Sequence, residues 1–380
     1  ADRFFYISQV NLNNGSMGSM FGQEFSNWIN GVSIDRYAND QITWEKATMM
    51  NLGVELGLFG KVDFQADYFT EYRSNILMDR AQTPATMGLQ APIRANVGEA
   101  SSKGFEFTID YRDDLTSDLF ISARVNFSYA TSQYEVYEEL DYVNAELPWR
   151  SRIGLNLSQP WGYIAERLFI DDADIANSPV QTFGDYMPGD IKYKDINNDG
   201  IIDINDEVPI GYPSTPEIIY GFGVSSSYKN FDMSFFFQGS ARSSFFIDAY
   251  RTSPFIDTSG SAIGNNALLT AWANDHWSEN DRDLYAAWPR LSDQLIDNNN
   301  RNSTWWLRDG SFLRLKSLEI GYSINEEIID KVKLESARIY LSATNLFTLS
   351  KFKIWDVEMG GNGLGYPIQK GINLGLNMNF

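Results

Sequence analysis

One stretch of the sequence spaces oxygen-bearing residues in the manner of a calcium-binding loop. An EF-hand-type loop supplies ligands from positions 1, 3, 5, 7, 9 and 12, and the matching residues here are Asp195, Asn197, Asp199, Ile201, Asp203 and Asp206. Gly200 occupies position 6, where such a loop turns sharply. Position 12 carries Asp instead of the longer bidentate Glu, and Glu207 follows directly as a substitute ligand. The spacing predicts a structural Ca²⁺ ion in a loop without flanking helices, and an Asn/Asp-rich turn without an ion is the alternative interpretation.

The other residues of types found in catalytic sites lack the partner residues that catalysis needs. His276 is the single histidine of the sequence, and no nucleophile signature for a Ser-His-Asp triad accompanies it. Asp171 and Asp172 have the residue types of a glycosidase pair, but adjacent acids arise by chance in a chain with 50 acidic residues. There is no cysteine, which excludes disulfides and thiol chemistry. We therefore predict that the protein is not an enzyme.

Tryptophans concentrate in and around residues 244–303. They are Trp272, Trp277, Trp288, Trp305 and Trp306. Such rings stack on sugars or clamp a peptide, and they also form interfacial girdles or pack loops together. We favour a girdle or loop packing over ligand binding.

Composition indicates a membrane β-barrel. Aromatic residues make up 14% of the 380 residues, yet the mean hydropathy is only -0.31. A barrel strand shows aromatic side chains to lipid and polar ones to a wet lumen, which gives this combination. No apolar run reaches the roughly 18 residues of a transmembrane helix, and a net charge of -20 excludes the basic surface of a nucleic-acid-binding protein.

Apolar residues alternate with polar ones along many segments, which predicts strands with one apolar and one polar face. The alternation is clearest in four segments, which are 48–58, 61–75, 101–112 and 119–133. It recurs in shorter segments further on, which are 153–157, 220–228, 231–237, 318–324, 339–343 and 372–380. Several strands run to about ten residues, the span of a tilted transmembrane strand. The predicted fold class is all-β, a transmembrane antiparallel β-barrel.

Connections between the predicted strands alternate in length. Short connections lie at 59–60, 113–118 and 229–230, and long ones lie at 78–100, 171–213 and 244–303. Short periplasmic turns with long extracellular loops are typical of outer-membrane barrels, and this asymmetry favours a barrel over a soluble β-sandwich. The segments 171–213, with the Asp-rich turn, and 244–303 are therefore predicted to be extracellular loops.

The alternating turns also constrain the topology between residues 133 and 215. If the short turns are periplasmic, an even number of strands must cross the membrane in this region. We predict 148–158 as one crossing and Trp161–Ile170 as its outward-running partner. This gives about eleven strands, and Phe4–Val10 is a candidate twelfth that would leave 11–47 as an external loop. A short helix capped by Asn325 is predicted over Asn325–Val332.

Short motifs follow one another in a recognisable order along residues 42–380. They include Pro188–Asp195, Asn197–Gly200, Tyr228–Asp232, Phe237–Gly239, Trp277–Asn280, Trp288–Leu291, Asp309–Lys316, Asn345–Phe347 and Gly365–Ile368. In these motifs and their order the chain resembles the SusC/RagA family of TonB-linked outer-membrane proteins.

The resemblance implies a plugged barrel of about 22 strands, of which residues 1–380 form the C-terminal part with about 11–12 strands. It implies a location in the outer membrane of a Gram-negative cell, as a multi-pass β-barrel in contact with lipid. It further implies a plug and the N-terminal half of the same barrel, neither of which we expect within this sequence. The implied partners are TonB, reached through the plug region, and a SusD-like surface lipoprotein.

The function implied by the resemblance is TonB-dependent import of oligosaccharides or oligopeptides across the outer membrane. Two other functions stay open. A SusC-like barrel could serve as a structural scaffold in a larger outer-membrane assembly, or it could be a passive porin. A plug and a TonB-contacting motif would distinguish an importer from a porin, and co-purifying chains would distinguish an importer from a scaffold.

Overall fold

The computed structural model describes Phe4 and residues 6–255, 268–325, 327–329 and 334–380. In chain order the strands are β1 (Gln9–Phe21), β2 (Asn27–Arg36), β3 (Lys46–Leu58), β4 (Val62–Asp79), β5 (Arg94–Thr116), β6 (Leu119–Val136), β7 (Trp161–Gly162), β8 (Ala165–Leu168), β9 (Val180–Gln181), β10 (Ile191–Tyr193), β11 (Ile201–Ile202), β12 (Val208–Pro209), β13 (Ile218–Tyr228), β14 (Phe231–Ala241), β15 (Ser244–Phe246), β16 (Leu307–Asp309), β17 (Phe312–Ser323), β18 (Ser336–Thr344), β19 (Thr348–Ser350) and β20 (Gly371–Asn379).

Helices in the described residues are short. The α-helices whose bounds lie within the described residues are α1 (Asp172–Ala176), α2 (Ala249–Thr252) and α3 (Thr270–Asn274). The 3₁₀ helices are Ala85–Met87, Pro148–Arg150, Ile204–Asp206, Asp297–Asn300 and Val357–Met359. Among the described residues, no helix is long and apolar enough to cross a membrane.

The larger of two compact units contains residues 52–68, 104–130 and the described part of 158–380. The main sheet has the strand order β20-β18-β17-β14-β13-β6-β5-β4-β3, and β19 also pairs with β17. The central strand β13 pairs antiparallel and without interruption with β6 on one side and β14 on the other. This antiparallel all-β arrangement agrees with the predicted fold class.

Short turns join neighbouring strands at one end of this sheet. Phe59 and Gly60, between β3 and β4, both have positive φ, at 55° and 65°. Two successive left-handed residues match the twist of the flanking strands. The predicted turns at 59–60 and 229–230 are confirmed, while the turn predicted at 113–118 shrinks to 117–118 because β5 continues to Thr116.

The predicted membrane strand at Trp161–Ile170 is wrong. Residues in this range form β7 and β8, which pair with β12 and β10 outside the main sheet. Leu168 and Phe169 are consecutive and both 0% exposed, so the segment is enclosed by protein on both sides and cannot present one face to lipid.

The predicted crossing at 148–158 is also wrong, because a 3₁₀ helix and turns occupy this range. β6 pairs directly with β13, so no strand crosses the membrane between them, which still satisfies the requirement for an even number of crossings. The path from β20 to β3 therefore contains nine strands, where the sequence pattern suggested about eleven.

The smaller unit contains residues 69–103, 131–157 and the described part of 1–51. Here β1 and β2 form a two-stranded antiparallel sheet with several register shifts. The candidate strand Phe4–Val10 is wrong because β1 begins only at Gln9, and the hairpin occupies most of the predicted loop 11–47. β4 and β5 likewise extend into the predicted loop 78–100, which leaves 80–93 as the connection.

The predicted helix Asn325–Val332 lies partly outside the described residues. At its start, the N–H groups of Ile328 and Ile329 donate to the carbonyl of Asn325 at 3.0 and 3.2 Å. This is the first turn that the prediction placed after the Asn325 cap.

Candidate functional site

A row of polar side chains runs across six neighbouring strands on one face of the main sheet. The residues that lie side by side in this row are Ser122, Ser225, Ser234, Glu319, Ser342 and Asn373. Because side chains alternate between the faces of a strand, all six point to the same side. That side must meet water or other polar groups.

The opposite face is apolar and exposed. In the neighbouring row, Met233, Ile320 and Leu341 lie next to one another on β14, β17 and β18. Their exposed fractions are 42%, 43% and 44%. Phe222 and Phe237 stack on this face at 5.1 Å between ring centroids. A continuous exposed apolar face opposite a polar one is the arrangement of a barrel wall between lipid and lumen.

Ion pairs cross the polar face between strands. Arg112 pairs with Asp63 at 2.7 Å and Arg124 pairs with Asp110 at 2.6 Å. A third guanidinium, Arg338 on β18, reaches over β17 to Asp232 on β14 and also contacts Glu319 at 2.6 Å.

Gly321 makes the Arg338–Asp232 contact across β17 possible. A Cβ at this position would lie 2.4 Å from both the Arg338 Nη2 and the Asp232 Oδ2. The absence of a side chain at residue 321 therefore lets an ion pair form across an intervening strand.

The polar face also holds a concavity with a volume of about 470 Å³. Its lining includes Asp110, Arg112, Arg124, Ser225, Ser234 and Phe236. The Phe236 ring lies against Gly223, where a Cβ would come within 2.9 Å of the ring. Small hydroxyl side chains and glycine thus leave room on this wall beside one aromatic ring.

The segments outside the main sheet pack into a body with its own apolar core, here called the loop body, which comprises 158–217, 244–255, 268–311 and 351–363. The Trp288 ring lies 4.9 Å from both the Trp272 and the Trp306 ring, between centroids. Trp272, Trp277, Trp288 and Trp306 are at most 7% exposed, and Trp305 packs partly buried against them. The sequence favoured a girdle or loop packing over ligand binding, and the structure shows loop packing for these tryptophans.

A buried polar network joins the two long loops of this body. Asp190, which is 0% exposed, pairs with Arg290 at 2.8 Å and accepts a hydrogen bond from the Asn299 side chain at 2.8 Å. Burial raises the pKa of Asp190 even though the Arg290 guanidinium opposes the shift. The Asn298 amide donates to the carbonyl of Ile191 and accepts from the Gln181 side chain. Sequence reasoning missed these residues, although the run Asn298–Asn300 is an unusual stretch of amides.

Arg314 ties the polar wall to the loop body. Its side chain is 2% exposed, and its Nη2 donates to both Asp356 oxygens at 2.6 and 2.7 Å. Glu358 pairs with the Nε of the same guanidinium at 2.7 Å. The segment carrying both acids also contributes Trp355 to the tryptophan cluster, so β17 and the loop body are fixed to each other.

Asp174 organises another corner of the loop body. Its carboxylate accepts hydrogen bonds from Arg167 on β8 at 2.6 and 2.9 Å and from Lys192 on β10 at 3.1 Å. The Arg167 guanidinium holds the pKa of Asp174 far below its usual range.

The six predicted calcium ligands lie in the segment between β10 and β12, which also contains β11 and the 3₁₀ helix Ile204–Asp206. The Asp195 carboxylate accepts from the N–H groups of Asn198 and Gly200 at 2.6 and 2.8 Å. Asp206 is buried and accepts from Ile196 and Asp203, which closes the loop end to end. In the described residues, no three carboxylate or imidazole side chains come together as a metal-binding group.

The backbone of the Asp-rich segment makes the sharp turn that a calcium-binding loop of this type has at position 6. Gly200 has φ +83°, a conformation that residues with a side chain rarely adopt. Asp199 and Asp203 direct their oxygens to the N–H groups of Ile201 and Asn205, both at 2.8 Å.

Two of the residues considered for catalysis, His276 and Asp171, have structural partners. The Nδ1 of His276 lies 2.9 Å from the carbonyl of Trp272. Asp171 caps α1 by accepting from the N–H of Asp174 at 2.8 Å.

Comparison with known proteins gives a family match over most of the chain. The family described as "TonB dependent receptor-like, beta-barrel" matches residues 11–346. TonB-dependent receptor P3 of Formosa agariphila is 27% identical over 376 residues, which cover 93% of this chain and 36% of that protein. TonB-dependent receptor SusC of Bacteroides thetaiotaomicron is 24% identical over 392 residues, which cover 100% of this chain and 36% of that protein.

Solved structures show a similar fold. The RagAB peptide importer in its closed-closed state superposes with a TM-score of 0.63 at 22% identity, over 99% of this chain and 39% of that chain. The open-open state gives a TM-score of 0.64 at 19% identity, over 100% and 38% of the two chains. The present chain spans a little over a third of the length of the relatives it matches.

Proposed function

Because this chain belongs to the TonB dependent receptor-like β-barrel family, whose members are outer-membrane proteins, we propose that it forms part of the wall of a nutrient importer. The whole protein would be a SusC-like importer that carries oligosaccharides or oligopeptides across the outer membrane. Such solutes are too large for porins, so import requires a gated passage and an energy source.

The main sheet has one apolar and one polar face, and this observation carries the proposal. An exposed apolar row on β14, β17 and β18 fits lipid, and the serine-rich row beside it fits a polar passage. The ion pairs and the concavity on the polar face give a wall that polar solutes or polar protein segments can contact.

Completion of the passage depends on parts beyond this chain. We propose that the N-terminal half of the same protein supplies the remaining strands, to a total of about 22, together with a plug. TonB would act on the plug, and a SusD-like surface lipoprotein would cover the extracellular side. The name of one relative, TonB-dependent receptor SusC, supports TonB as a partner, and the motif resemblance to the SusC/RagA family supports a SusD-like lipoprotein.

The test is uptake by cells of the source organism that carry the full-length gene. Growth on a panel of purified oligosaccharides and oligopeptides would be compared in wild type, a deletion strain and a complemented strain. We expect the deletion to abolish growth on one compound, and inactivation of TonB to abolish it as well.

The same experiment separates the alternatives. Uptake that survives loss of TonB would indicate a passive porin. Unchanged uptake in the deletion strain, with changed composition of a purified outer-membrane complex, would indicate a scaffold. Either result would overturn the importer proposal.

We also propose that the Asp-rich loop binds one structural Ca²⁺ ion. The ligands would be the side chains of Asp195, Asn197, Asp199, Asp203 and Asp206 and the carbonyl of Ile201. Each carboxylate oxygen can accept more than one interaction, so the N–H bonds seen in the loop are compatible with a bound ion. Asp199 and Asp203 would have to turn from their N–H partners towards the ion.

A further inference from the structure

Arg308 differs from most sheltered cations of the loop body in having no acidic partner among the described residues. The cations that do have one are Arg167, Lys192, Arg290 and Arg314. In a chain with a net charge of -20, carboxylates are abundant. A partly buried guanidinium without one is therefore unusual.

The side chain is held in place by the backbone. Arg308 lies on β16 opposite Phe245 on β15. Its Nη1 donates to the carbonyls of Trp305 and Leu307 at 2.7 and 2.9 Å. Neither Nε nor Nη2 has an acceptor in the described part of the chain.

These contacts engage Nη1 and leave the Nε–Nη2 edge of the guanidinium without an acceptor among the described residues. Nε and Nη2 point in parallel and form the fork that binds the two oxygens of a planar carboxylate. Because Nη1 is already engaged, the fork is oriented before any ligand arrives, which reduces the entropy lost on binding. Partial burial also lowers the pKa of Arg308, in keeping with an uncompensated cation that would gain from an anionic partner.

We propose that the Nε–Nη2 edge of Arg308 binds a carboxylate group of the imported substrate. This inference rests on the proposed function and adds a substrate class, namely a solute with a free carboxylate. The carboxylate of a uronic acid and that of a peptide C-terminus have the same chemistry, so either substrate type satisfies the geometry.

Binding to the purified full-length protein tests the proposal. Titration calorimetry at low ionic strength would use two probes with carboxylates, tetragalacturonate and tetra-alanine, and two without, maltotetraose and C-terminally amidated tetra-alanine. We expect one carboxylate probe to bind and its uncharged counterpart to bind at least tenfold more weakly. The variant Arg308→Gln should weaken binding of that probe roughly 10–100-fold, the range for a charged hydrogen-bonded contact.

Two further variants make the result specific. Arg282→Gln removes the same charge from an exposed position of the loop body and should bind like wild type. Arg308→Lys keeps the charge but lacks the fork, and it should bind more weakly than wild type; it replaces Arg308→Gln if that variant fails to assemble. Binding of neither carboxylate probe, or equal binding by wild type and the Arg308 variants, would overturn the proposal. TonB-dependent uptake by wild-type cells tests the import function separately, so the two can fail independently.

Discussion

The Asp-rich loop is the point at which single residues have a definite chemical prediction. Asp195→Ala combined with Asp199→Ala should remove the bound metal, because it deletes the ligands at positions 1 and 5 of the loop. Elemental analysis of the purified full-length protein should show about one calcium per chain before the change and none after it. The barrel should still assemble, since the loop lies outside the main sheet.

A control variant that also removes two acidic side chains tests whether the loss of charge alone changes the calcium content. Asp185→Ala with Asp172→Ala removes two exposed acids from nearby parts of the loop body and should leave the calcium content unchanged. Absence of calcium from the unmodified protein would show that the loop is an Asn/Asp turn without an ion.

Asp174 gives a second residue-scale prediction, with a defined pH dependence. Asp174→Asn should destabilise the loop body by about 1–3 kcal/mol at pH 7, because Arg167 and Lys192 lose a charged acceptor. Since folding lowers the pKa of Asp174, its contribution is full above the unfolded pKa of about 3.9 and declines as the pH falls below that value.

Hydrogen exchange of loop-body amides at pH 7 and pH 3 measures this effect. The difference between wild type and Asp174→Asn should be large at pH 7 and smaller at pH 3. Asp172→Asn, an exposed change in the same helix, should behave like wild type at both. A difference between wild type and Asp174→Asn that stays constant with pH would contradict the role of the ionised carboxylate.

At the scale of elements, the two ends of the main sheet should face different compartments. Residues 1–380 contain no cysteine, so a single introduced cysteine is the one thiol in this part of the protein, and labelling is compared with that of the unsubstituted protein. Glu166→Cys, in β8 of the loop body, should react on intact cells with a membrane-impermeant maleimide. Ser117→Cys, in the short turn between β5 and β6, should react only after the outer membrane is permeabilised.

The reverse labelling pattern would invert the proposed topology. Both positions are exposed, so a lack of labelling cannot arise from burial in the chain itself. Labelling of Glu166→Cys on intact cells would also support the finding that Trp161–Ile170 is part of the loop body and not a membrane strand.

At the scale of the whole molecule, the main sheet has edges at β3 and β20. A strand edge in hydrocarbon leaves N–H and C=O groups unpaired, each at a cost of several kcal/mol. Residues 1–380 expressed alone with a signal peptide should therefore not give a stable barrel. Co-expression with the N-terminal half should restore insertion if that half supplies the strands that pair with both edges.

Heat-modified migration and protease resistance of outer-membrane fractions measure this outcome. The full-length protein serves as the positive control. A folded, protease-resistant product from residues 1–380 alone would mean that the chain closes a small barrel by itself, and the proposed 22-stranded arrangement would be wrong.

The sequence by itself determined the strands that have one apolar and one polar face. Alternation is a local pattern that a lipid-facing strand requires, so β3–β6, β13, β14, β17, β18 and β20 are visible from residue order alone. The turns at 59–60 and 229–230 and the motif order that resembled the SusC/RagA family were equally local. The family match over residues 11–346 agrees with that resemblance.

Only the tertiary structure decided what the intervening segments do. The alternation of short and long connections predicts a membrane strand at Trp161–Ile170, but the apolar residues of this segment are enclosed by loops that are distant in sequence. Arg290 and Asn299, which bind Asp190, each lie about a hundred residues from it in the sequence. No periodicity in the sequence reports a contact at that separation. The lack of an acidic partner for Arg308 in the described part of the chain was invisible for the same reason, since it depends on which of the acidic groups come near it in the fold.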